Sequence, residues 1–322
     1  MRNIKTVTRS ALLLLLMALY VMPIQAVEYK RELVVAQDGS GDYTSLNEAM
    51  EGIRAFMDYR VTVHIKKGVY HEKWVVPSWL QEVDFLGESV DETIVTYNDH
   101  AKIRNMGTFR TYTLKVEGSG ITFRNLTIEN NAERLGQAVA LHTEGDRLRF
   151  INCRFLGNQD TVYTGAARTR LYFERCYIEG TTDFIFGPST AWFEGCEIRS
   201  KANSYITAAS TPQGVQSGYL FHRCRLTADE GVDKVYLGRP WRPYAFTLFV
   251  ACEMGPHIRP EGWDNWRNPE NERTVRYGEF ESIGPGARIK ERVSWSKQLT
   301  PDEVKPYLDM KRFFTFSDEW LP

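Results

Sequence analysis

The stretch Phe150-Ile151-Asn152-Cys153-Arg154-Phe155 decides the fold, because its pattern recurs along the chain. A phenylalanine is followed by a cysteine three residues later and by an apolar residue two further on, in Phe150-Cys153-Phe155, Phe173-Cys176-Ile178, Phe193-Cys196-Ile198, Phe221-Cys224-Leu226 and Phe249-Cys252-Met254. A sixth copy, Phe123-Leu126-Ile128, has leucine in the cysteine place. We call this pattern the Phe-Cys repeat. Its alternation of apolar and polar positions is typical of one short β-strand per copy.

The spacing of the repeat predicts the architecture. Successive copies are 27, 23, 20, 28 and 28 residues apart. A period of this length with one strand per copy indicates a solenoid, and the 3.6-residue pattern of helical repeats is absent. We therefore expect an all-β, single-stranded parallel β-helix whose coils stack at ~4.8 Å. The five cysteines then form a buried ladder of free thiols, although in-register neighbours could also be bridged by a disulfide.

Short helices are predicted at both ends of the solenoid. Ser45 and Glu48 form a capping-box pattern at the start of a helix whose apolar face comprises Leu46, Ala49, Met50 and Ile53. Such a helix would cover the open edge of the first coil. Near the other end, the segment Thr300-Pro301-Asp302-Glu303 predicts the start of a second helix.

The composition and the N-terminal residues limit the possible cellular location and binding partners of the protein. The chain has 322 residues, 43% of them hydrophobic, and a formal net charge of -1, which argues against a nucleic-acid-binding protein. Arg2, Lys5 and Arg9 precede an apolar run, Ala11 to Met22, that is too short for a comfortable membrane span. We expect residues 1–26 to be a signal peptide and residues 27–322 to form one exported domain, periplasmic or secreted, without membrane contact. An uncleaved anchor is the alternative.

Two carboxylates hold the same place in successive repeats. Asp160 lies seven residues after Cys153, and Asp183 lies seven residues after Cys176. If the loops follow the strands in register, the two side chains lie one coil apart, at ~5 Å. One pKa of such a pair rises while the other stays low, which provides one proton donor and one anionic nucleophile. The alternative is that both are solvated turn residues.

The carboxylate pair alone does not identify a reaction, since its spacing also suits a retaining glycosidase. Gln159 precedes Asp160, and Gln137 lies one strand earlier. Amide donors beside a carboxylate pair can stabilise an oxyanion, which favours acyl transfer. The sequence has no His/Cys cluster at metal-ligand spacing, and we expect neither a metal nor a cofactor.

Five motifs carry a family resemblance. They are Gly68-Val69-Tyr70-His71-Glu72, Gln137-Ala138-Val139-Ala140-Leu141, Asn158-Gln159-Asp160-Thr161-Val162-Tyr163, Asp183-Phe184-Ile185-Phe186-Gly187 and Tyr236-Leu237-Gly238-Arg239-Pro240-Trp241. In this order the motifs resemble the pectin methylesterases, carbohydrate esterases built on a right-handed parallel β-helix. The resemblance covers roughly residues 32–320. One departure is Val162, where many members have leucine. His71 receives no catalytic role.

The resemblance implies a role for each motif. Asp183 would be the nucleophile, Arg239 would hold it ionised, Gln137 and Gln159 would stabilise the oxyanion, and Asp160 would act as general acid and then as base. The aromatic residues Trp241, Phe186 and Tyr163 would line the sugar subsites, with Thr113 and Trp263 as further candidates. The implied substrate is methyl-esterified pectin, and we expect a monomer.

Two other classes of function remain open. One is a pectin-active β-helix of another kind, a lyase or a polygalacturonase. The other is a catalytically silent β-helix that only binds polysaccharide. Neither a lyase nor a polygalacturonase accounts for the two glutamines together with the segment Arg239-Pro240-Trp241.

Overall fold

The computed structural model describes residues 29–315 and Trp320. The described residues from Arg31 onward belong to one compact unit. The predicted signal peptide, residues 1–26, and the first residues of the predicted mature domain lie outside the described part. No helix within the described residues is both long enough and apolar enough to cross a lipid bilayer.

The chain forms three parallel sheets that wind into a right-handed β-helix, as predicted. Sheet A contains β1 (Glu32–Val35), β2 (Val61–Ile65), β5 (Val83–Gly87), β8 (Thr122–Arg124), β11 (Leu148–Ile151), β14 (Arg170–Glu174), β17 (Thr190–Glu194), β20 (Tyr219–His222), β23 (Phe246–Val250), β25 (Arg276–Phe280) and β26 (Lys297–Gln298). Sheet B contains β3 (Gly68–His71), β6 (Thr93–Tyr97), β9 (Thr127–Asn130), β12 (Arg154–Leu156), β15 (Tyr177–Gly180), β18 (Glu197–Ser200), β21 (Arg225–Ala228) and β24 (Glu253–Met254). Sheet C contains β4 (Trp74–Val76), β7 (Leu114–Val116), β10 (Leu141–Thr143), β13 (Val162–Thr164), β16 (Ile185–Gly187), β19 (Tyr205–Ala209) and β22 (Tyr236–Gly238).

The six phenylalanines of the Phe-Cys repeat and Phe85 form a continuous stack inside sheet A. Neighbouring rings are in register, with centroids 4.4 to 5.2 Å apart, and the stack comprises Phe85, Phe123, Phe150, Phe173, Phe193, Phe221 and Phe249. Stacked aromatic rings contribute packing energy beyond the area that they bury. The stack therefore fixes the register of successive coils.

Each copy of the repeat contains two strands, and the expectation of a single strand was wrong. In the copy at 150–155, β11 ends at Ile151 and β12 begins at Arg154. Asn152 lies between them with a φ of 51°, in the left-handed region. The residue before the cysteine or leucine has a positive φ in all six copies, as Asn125, Asn152, Arg175, Gly195, Arg223 and Ala251. Only one of the six is glycine, so the usual sequence signal for such a corner is missing.

The five cysteines are free and buried, as predicted. Each thiol approaches the backbone carbonyl of the phenylalanine one coil earlier, for example Cys176 Sγ to Phe150 O at 3.3 Å and Cys224 Sγ to Phe193 O at 3.3 Å. Burial raises the pKa of the Cys153 thiol well above its usual value. All five thiols are buried, which shields them from solution reagents in the folded state.

We expect thiol titration to find few reactive groups in the native protein. After denaturation without reductant, all five cysteines should react, because none is paired in the structure. A count of one or three under those conditions would show that disulfides form and would contradict the ladder of free thiols.

A short helix covers the first coil. The helix α1 (Leu46–Gly52) begins after Ser45, whose side chain accepts a hydrogen bond from Glu48 N. The reciprocal half of the predicted capping box is absent, because Glu48 accepts from Thr44 instead. Glu72 satisfies two other donors of the first turn, since its carboxylate accepts from the backbone N–H groups of Leu46 and Asn47. The motif Gly68–Glu72 thus has a structural role at this end.

Two further helices lie near the end of the described chain. The helix α2 (Pro301–Leu308) has the complete capping box of Thr300 and Glu303, and α3 (Met310–Phe313) follows it. Their apolar residues pack against the outer surface of sheet A, in a cluster that includes Val304, Phe313, Tyr172, Trp192 and Leu220. These helices therefore lie along the side of the solenoid.

Candidate active site

Sheet C provides the floor of the candidate site. Its inward side chains, such as Leu141, Val162 and Ile185, belong to the main core. The residues between them form a second ladder on the opposite face, in which His142, Tyr163, Phe186 and Ala208 are neighbours in register. Part of this ladder joins an apolar cluster that is separate from the core and includes Trp241 and Trp266. The outer face of sheet C therefore presents an aromatic surface beside the core.

A pocket of about 230 Å³ opens on this face. It is lined by Thr108, Phe109, Gln137, Gln159, Asp160, Asp183, Phe186, Ala208, Arg239, Trp241 and Trp266. All five residues predicted to carry chemistry are in this set. The structure thus brings together side chains that are separated by up to about a hundred residues in the sequence.

Asp160 and Asp183 occupy equivalent places on adjacent coils, as their spacing predicted. Val162 and Ile185 are in register, and each aspartate lies two residues before one of them. Both aspartates have a positive φ, 67° for Asp160 and 50° for Asp183, and both are largely buried. Aspartate adopts this left-handed conformation more readily than most non-glycine residues. The turn before each strand is therefore held in an unusual conformation that presents the carboxylate to the pocket.

Arg239 distinguishes the two carboxylates. Its Nε donates to Asp183 Oδ1 at 2.9 Å, and its Nη2 donates to Asp183 Oδ2 at 2.6 Å. Burial raises the pKa of Asp183, and the hydrogen bonds from Arg239 oppose that rise. Burial raises the pKa of Asp160 well above its ordinary value, and the negative charge of Asp183 raises it further. Asp160 therefore keeps its proton more readily than Asp183, whose ionised form is stabilised by Arg239.

The pKa of Asp160 predicts a pH-dependent cost to stability. The pKa of Asp160 is higher in the folded state than in the unfolded state, so the folded state binds its proton more tightly. The contribution of this group to the free energy of unfolding is therefore fully present at low pH and is lost as the pH rises through the folded-state pKa. Asp160→Asn removes this ionisation, and we expect the variant to have a higher Tm than the parent at pH 7. At about pH 3.5, where the group is largely protonated in both states, the two Tm values should converge. Equal differences in Tm at both values would contradict a raised pKa.

Two aromatic rings contact the guanidinium of Arg239. Its Cζ lies 3.9 Å from the ring centroid of Tyr205 and 3.8 Å from that of Trp266. Cation–π contacts of this kind strengthen when they are shielded from water. A Cβ on Gly238, the residue before Arg239, would lie 2.0 Å from Thr207 Oγ1, so only glycine fits there. The backbone and the two rings together fix the direction of the guanidinium.

Gln137 and Gln159 lie side by side on adjacent coils. They form a parallel bridge, and Ala138 N donates to Gln159 O at 3.0 Å. Both side chains line the pocket. Their amide groups make no hydrogen bond to any other described residue, which leaves their N–H donors available to a ligand. Two such donors beside a carboxylate pair form a site for a developing oxyanion.

Only some of the predicted sugar-binding residues line the pocket. Phe186 and Trp241 line the pocket, whereas Tyr163 does not line it and stacks against Phe186 on the neighbouring coil, with ring centroids 4.7 Å apart. Thr113 is fully buried away from the pocket, and its hydroxyl donates to Glu129 O at 2.8 Å. Trp263 is also buried and stacks on Tyr277 at 4.2 Å. The structure therefore does not bring Thr113 or Trp263 to the site.

Four pocket residues and one supporting residue were not identified from the sequence. Trp266 lies three residues after the candidate Trp263, and the spacing gave no means of choosing between them. Tyr205 reaches the site only through Arg239. Thr108, Phe109 and Ala208 belong to no motif that we recognised. Within residues 29–315 and Trp320, no group of three or more His, Cys, Asp or Glu residues is arranged to hold a metal ion.

Comparisons with known proteins agree with this geometry. The sequence model for pectinesterases matches residues 32–314. Pectinesterase 31 of Arabidopsis thaliana is 40% identical over 285 residues, which cover 85% of this chain and 89% of that protein. Pectinesterase QRT1 of the same plant is 34% identical and covers 92% of this chain and 80% of its own.

Solved structures give the same relationship. The pectin methylesterase from carrot superposes with a TM-score of 0.83 at 29% identity, over 92% of this chain and 99% of its own. A substituted pectin methylesterase in complex with a hexasaccharide superposes with a TM-score of 0.79 at 26% identity, over 92% of this chain and 100% of its own. The resemblance carried by the five motifs is confirmed, and the alternatives of a lyase, a polygalacturonase or a silent binder are not favoured. The chain belongs to the pectinesterase family, the carboxylic ester hydrolases that act on pectin.

Proposed function

We propose that the chain removes methyl groups from pectin through an acyl-enzyme formed on Asp183. The observation that carries this proposal is the unequal treatment of two neighbouring carboxylates. Asp183 receives two hydrogen bonds from Arg239, while Asp160, at the equivalent place on the adjacent coil, is bonded to no cationic side chain among the described residues. An ionised nucleophile and a protonated acid side by side suit an ester whose leaving group needs a proton.

The first half of the reaction forms the acyl-enzyme. A carboxylate oxygen of Asp183 attacks the C6 carbonyl carbon of a methyl galacturonate unit, and the carbonyl oxygen becomes an oxyanion. The amides of Gln137 and Gln159 donate hydrogen bonds to that oxyanion. Asp160 transfers its proton to the methoxy oxygen, the C6–O bond breaks, and methanol leaves.

The second half regenerates the enzyme. Asp160, now ionised, takes a proton from a water molecule as that water attacks the galacturonyl carbonyl of the mixed anhydride. The bond to Asp183 breaks, and Asp183 departs as a carboxylate held by Arg239. The product is one galacturonic acid unit, and both aspartates return to their starting protonation states.

Pectin fits the face on which the pocket lies. Phe186 and Trp241 offer apolar surface to sugar rings and to ester methyl groups. One of the similar solved proteins is in complex with a hexasaccharide, which supports an oligosaccharide occupant. We further propose that the enzyme is a monomer.

The direct test of the activity is to incubate the purified protein with highly methylated pectin and to measure methanol and new reducing ends together. We expect methanol without chain cleavage. New chain ends without methanol would indicate a polygalacturonase or a lyase, and neither product would indicate a silent binder.

Export is part of the proposal. Family members are generally extracellular, which supports an exported enzyme, periplasmic or secreted, with residues 1–26 as its signal. N-terminal sequencing of the exported protein should begin at Val27. A protein that keeps residues 1–26 and remains in the membrane fraction would contradict this assignment.

A further inference from the structure

A notch interrupts the corner between sheets A and B, where each copy of the Phe-Cys repeat has its left-handed residue. At two successive corners the side chains bond to each other, since Asn152 Nδ2 donates to Asn125 Oδ1 at 2.7 Å. The next three corners are Arg175, Gly195 and Arg223. The glycine leaves a gap between two arginines that lie two coils apart, at ~10 Å. A Cβ on Gly195 would meet no atom within 4 Å, so the gap is open to solvent.

The notch has a volume of about 260 Å³. The residues around it include Arg175, Tyr177, Gly195, Glu197, Arg223 and Arg225. Tyr177, Glu197 and Arg225 are in register on β15, β18 and β21, so the notch spans three coils. It lies where sheets A and B meet, whereas the active-site pocket opens on the outer face of sheet C. A ligand in the notch would therefore leave the active site open.

The exposed layer of the notch is positively charged. The side chains of Arg175, Arg223 and Arg225 are 57% to 71% exposed. Each pairs with a glutamate whose side chain is only 20% to 24% exposed, in the pairs Arg175–Glu174, Arg223–Glu194 and Arg225–Glu197. An anion that approaches from solution therefore meets guanidinium groups before it meets carboxylates.

The two arginines at the corner have hydrogen-bond donors available. The guanidinium of Arg223 makes no hydrogen bond to any described residue, and its ion pair with Glu194 spans 4.0 Å. The ion pair of Arg175 within the described chain is with Glu174, its neighbour in sequence. A guanidinium has five N–H donors in a planar fork that matches a carboxylate. The two arginines can therefore each bind a carboxylate of a ligand that lies across Gly195.

The other residues of the notch are compatible with an acidic sugar. Glu197 is a carboxylate, but it accepts from Arg225 Nη2 at 2.5 Å and from Thr227 Oγ1 at 2.9 Å, so its charge is balanced within the protein. Tyr177 is partly exposed, and its hydroxyl donates to Glu179 Oε2 at 2.9 Å. Aromatic rings of this kind offer an apolar surface to a sugar ring.

We propose that this notch binds a stretch of de-esterified pectin, with Arg175 and Arg223 each holding a galacturonate carboxylate on either side of Gly195. The inference rests on the proposed function, because that polyanion is the product that the enzyme releases. The notch thereby keeps the enzyme on pectin that has already lost its methyl groups, while the pocket on sheet C remains free for the next methylated stretch.

The test measures the Kd for polygalacturonate, which has no methyl esters, by affinity electrophoresis of the native protein in calcium-free buffer. For the double variant Arg175→Gln with Arg223→Gln we expect Kd to rise about tenfold, because charge-assisted hydrogen bonds are lost. Gly195→Asn keeps every charge but fills the gap, and its Kd should rise about fivefold. The fold accepts asparagine at this kind of corner, as Asn125 and Asn152 show with φ of 55° and 51°.

Arg312→Gln is the matched control. Arg312 is 69% exposed and pairs with Asp309 across 3.7 Å, but it does not line the notch. Its Kd should stay within about twofold of the parent, as for an ordinary surface substitution. In every variant, kcat and KM for a short methylated oligogalacturonate should also stay within about twofold, since the pocket is unchanged and this substrate has few carboxylates.

Four outcomes would each overturn the proposal. One is a Kd of the double variant within twofold of the parent. Another is a parental Kd for Gly195→Asn, which would indicate diffuse attraction between charges and no binding in the gap. The third is an equal loss of binding in Arg312→Gln. The last is a KM for the methylated oligomer that rises in parallel with Kd, which would place the effect in the active-site pocket.

Failure of this inference is distinguishable from failure of the proposed function, because binding of polygalacturonate requires no turnover. A parent protein that releases no methanol contradicts the function, and the Kd values of the same variants still test the notch. A parent that releases methanol but whose Kd is the same in all variants overturns the inference alone.

Discussion

Asp183→Asn should abolish methanol release while the fold remains intact. The amide has nearly the same shape as the carboxylate, but it carries no negative charge and cannot form the acyl-enzyme. Arg239 would retain one acceptor of the two that it now holds. Loss of a covalent nucleophile typically costs more than about a thousandfold in rate, and we expect at least that decrease in kcat. Methanol release and circular dichroism measured on the same preparation check the prediction.

Asp264→Asn is the matched control for this substitution. Asp264 is a nearby carboxylate whose charge helps to raise the pKa of Asp183, but it accepts a hydrogen bond from Trp266 N and does not line the pocket. We expect its activity to remain within tenfold of the parent. Activity of Asp183→Asn within tenfold of the parent would refute the assignment of the nucleophile.

Gln137→Ala and Gln159→Ala should each lower kcat far more than they raise KM. Their amide donors meet a negative charge that exists only after Asp183 has attacked, so the loss falls on the transition state. Removal of one oxyanion donor typically costs ~10²–10³ in rate, or roughly 2.7–4 kcal/mol. Because Gln159 adjoins Asp160, complete pH profiles of both variants are needed to separate a change in the pKa of Asp160 from the loss of a donor.

Gln298→Ala is a suitable control, since Gln298 is exposed on β26 and lies outside the pocket. A competing interpretation makes the two amides ligands of sugar hydroxyl groups. That interpretation predicts a raised KM with kcat nearly unchanged. If both variants behave in that way, the oxyanion role is wrong.

The fold was predictable because its determinants are local and repeated. Phe150, Cys153 and their counterparts recur at the coil spacing, and the same spacing placed Asp160 and Asp183 on adjacent coils. The corner at Asn152 was not predictable, since its left-handed conformation is imposed by the two strands that it joins and the residue type varies between coils.

The residues at the edge of the site are positioned by contacts that do not repeat along the sequence. Trp266 rather than Trp263 reaches the pocket because Trp263 stacks on Tyr277 within the core. Phe109 reaches it through an irregular connection whose path is set by Gln137 and Lys73. Thr113 was an inference from family resemblance, and in the fold its hydroxyl satisfies a backbone carbonyl.

The central claim is that the reaction passes through an acyl group on Asp183, and partitioning with hydroxylamine tests it most directly. Methylated oligogalacturonate is treated with the enzyme at increasing hydroxylamine concentrations, and methanol, free acid and hydroxamate are measured, with enzyme-free and Asp183→Asn reactions as blanks. The account predicts that hydroxamate replaces free acid in proportion to the hydroxylamine concentration. Hydroxylamine attacks the mixed anhydride in place of water after methanol has left. Free acid as the only product above the blanks, at every hydroxylamine concentration and with methanol released at the usual rate, would contradict it.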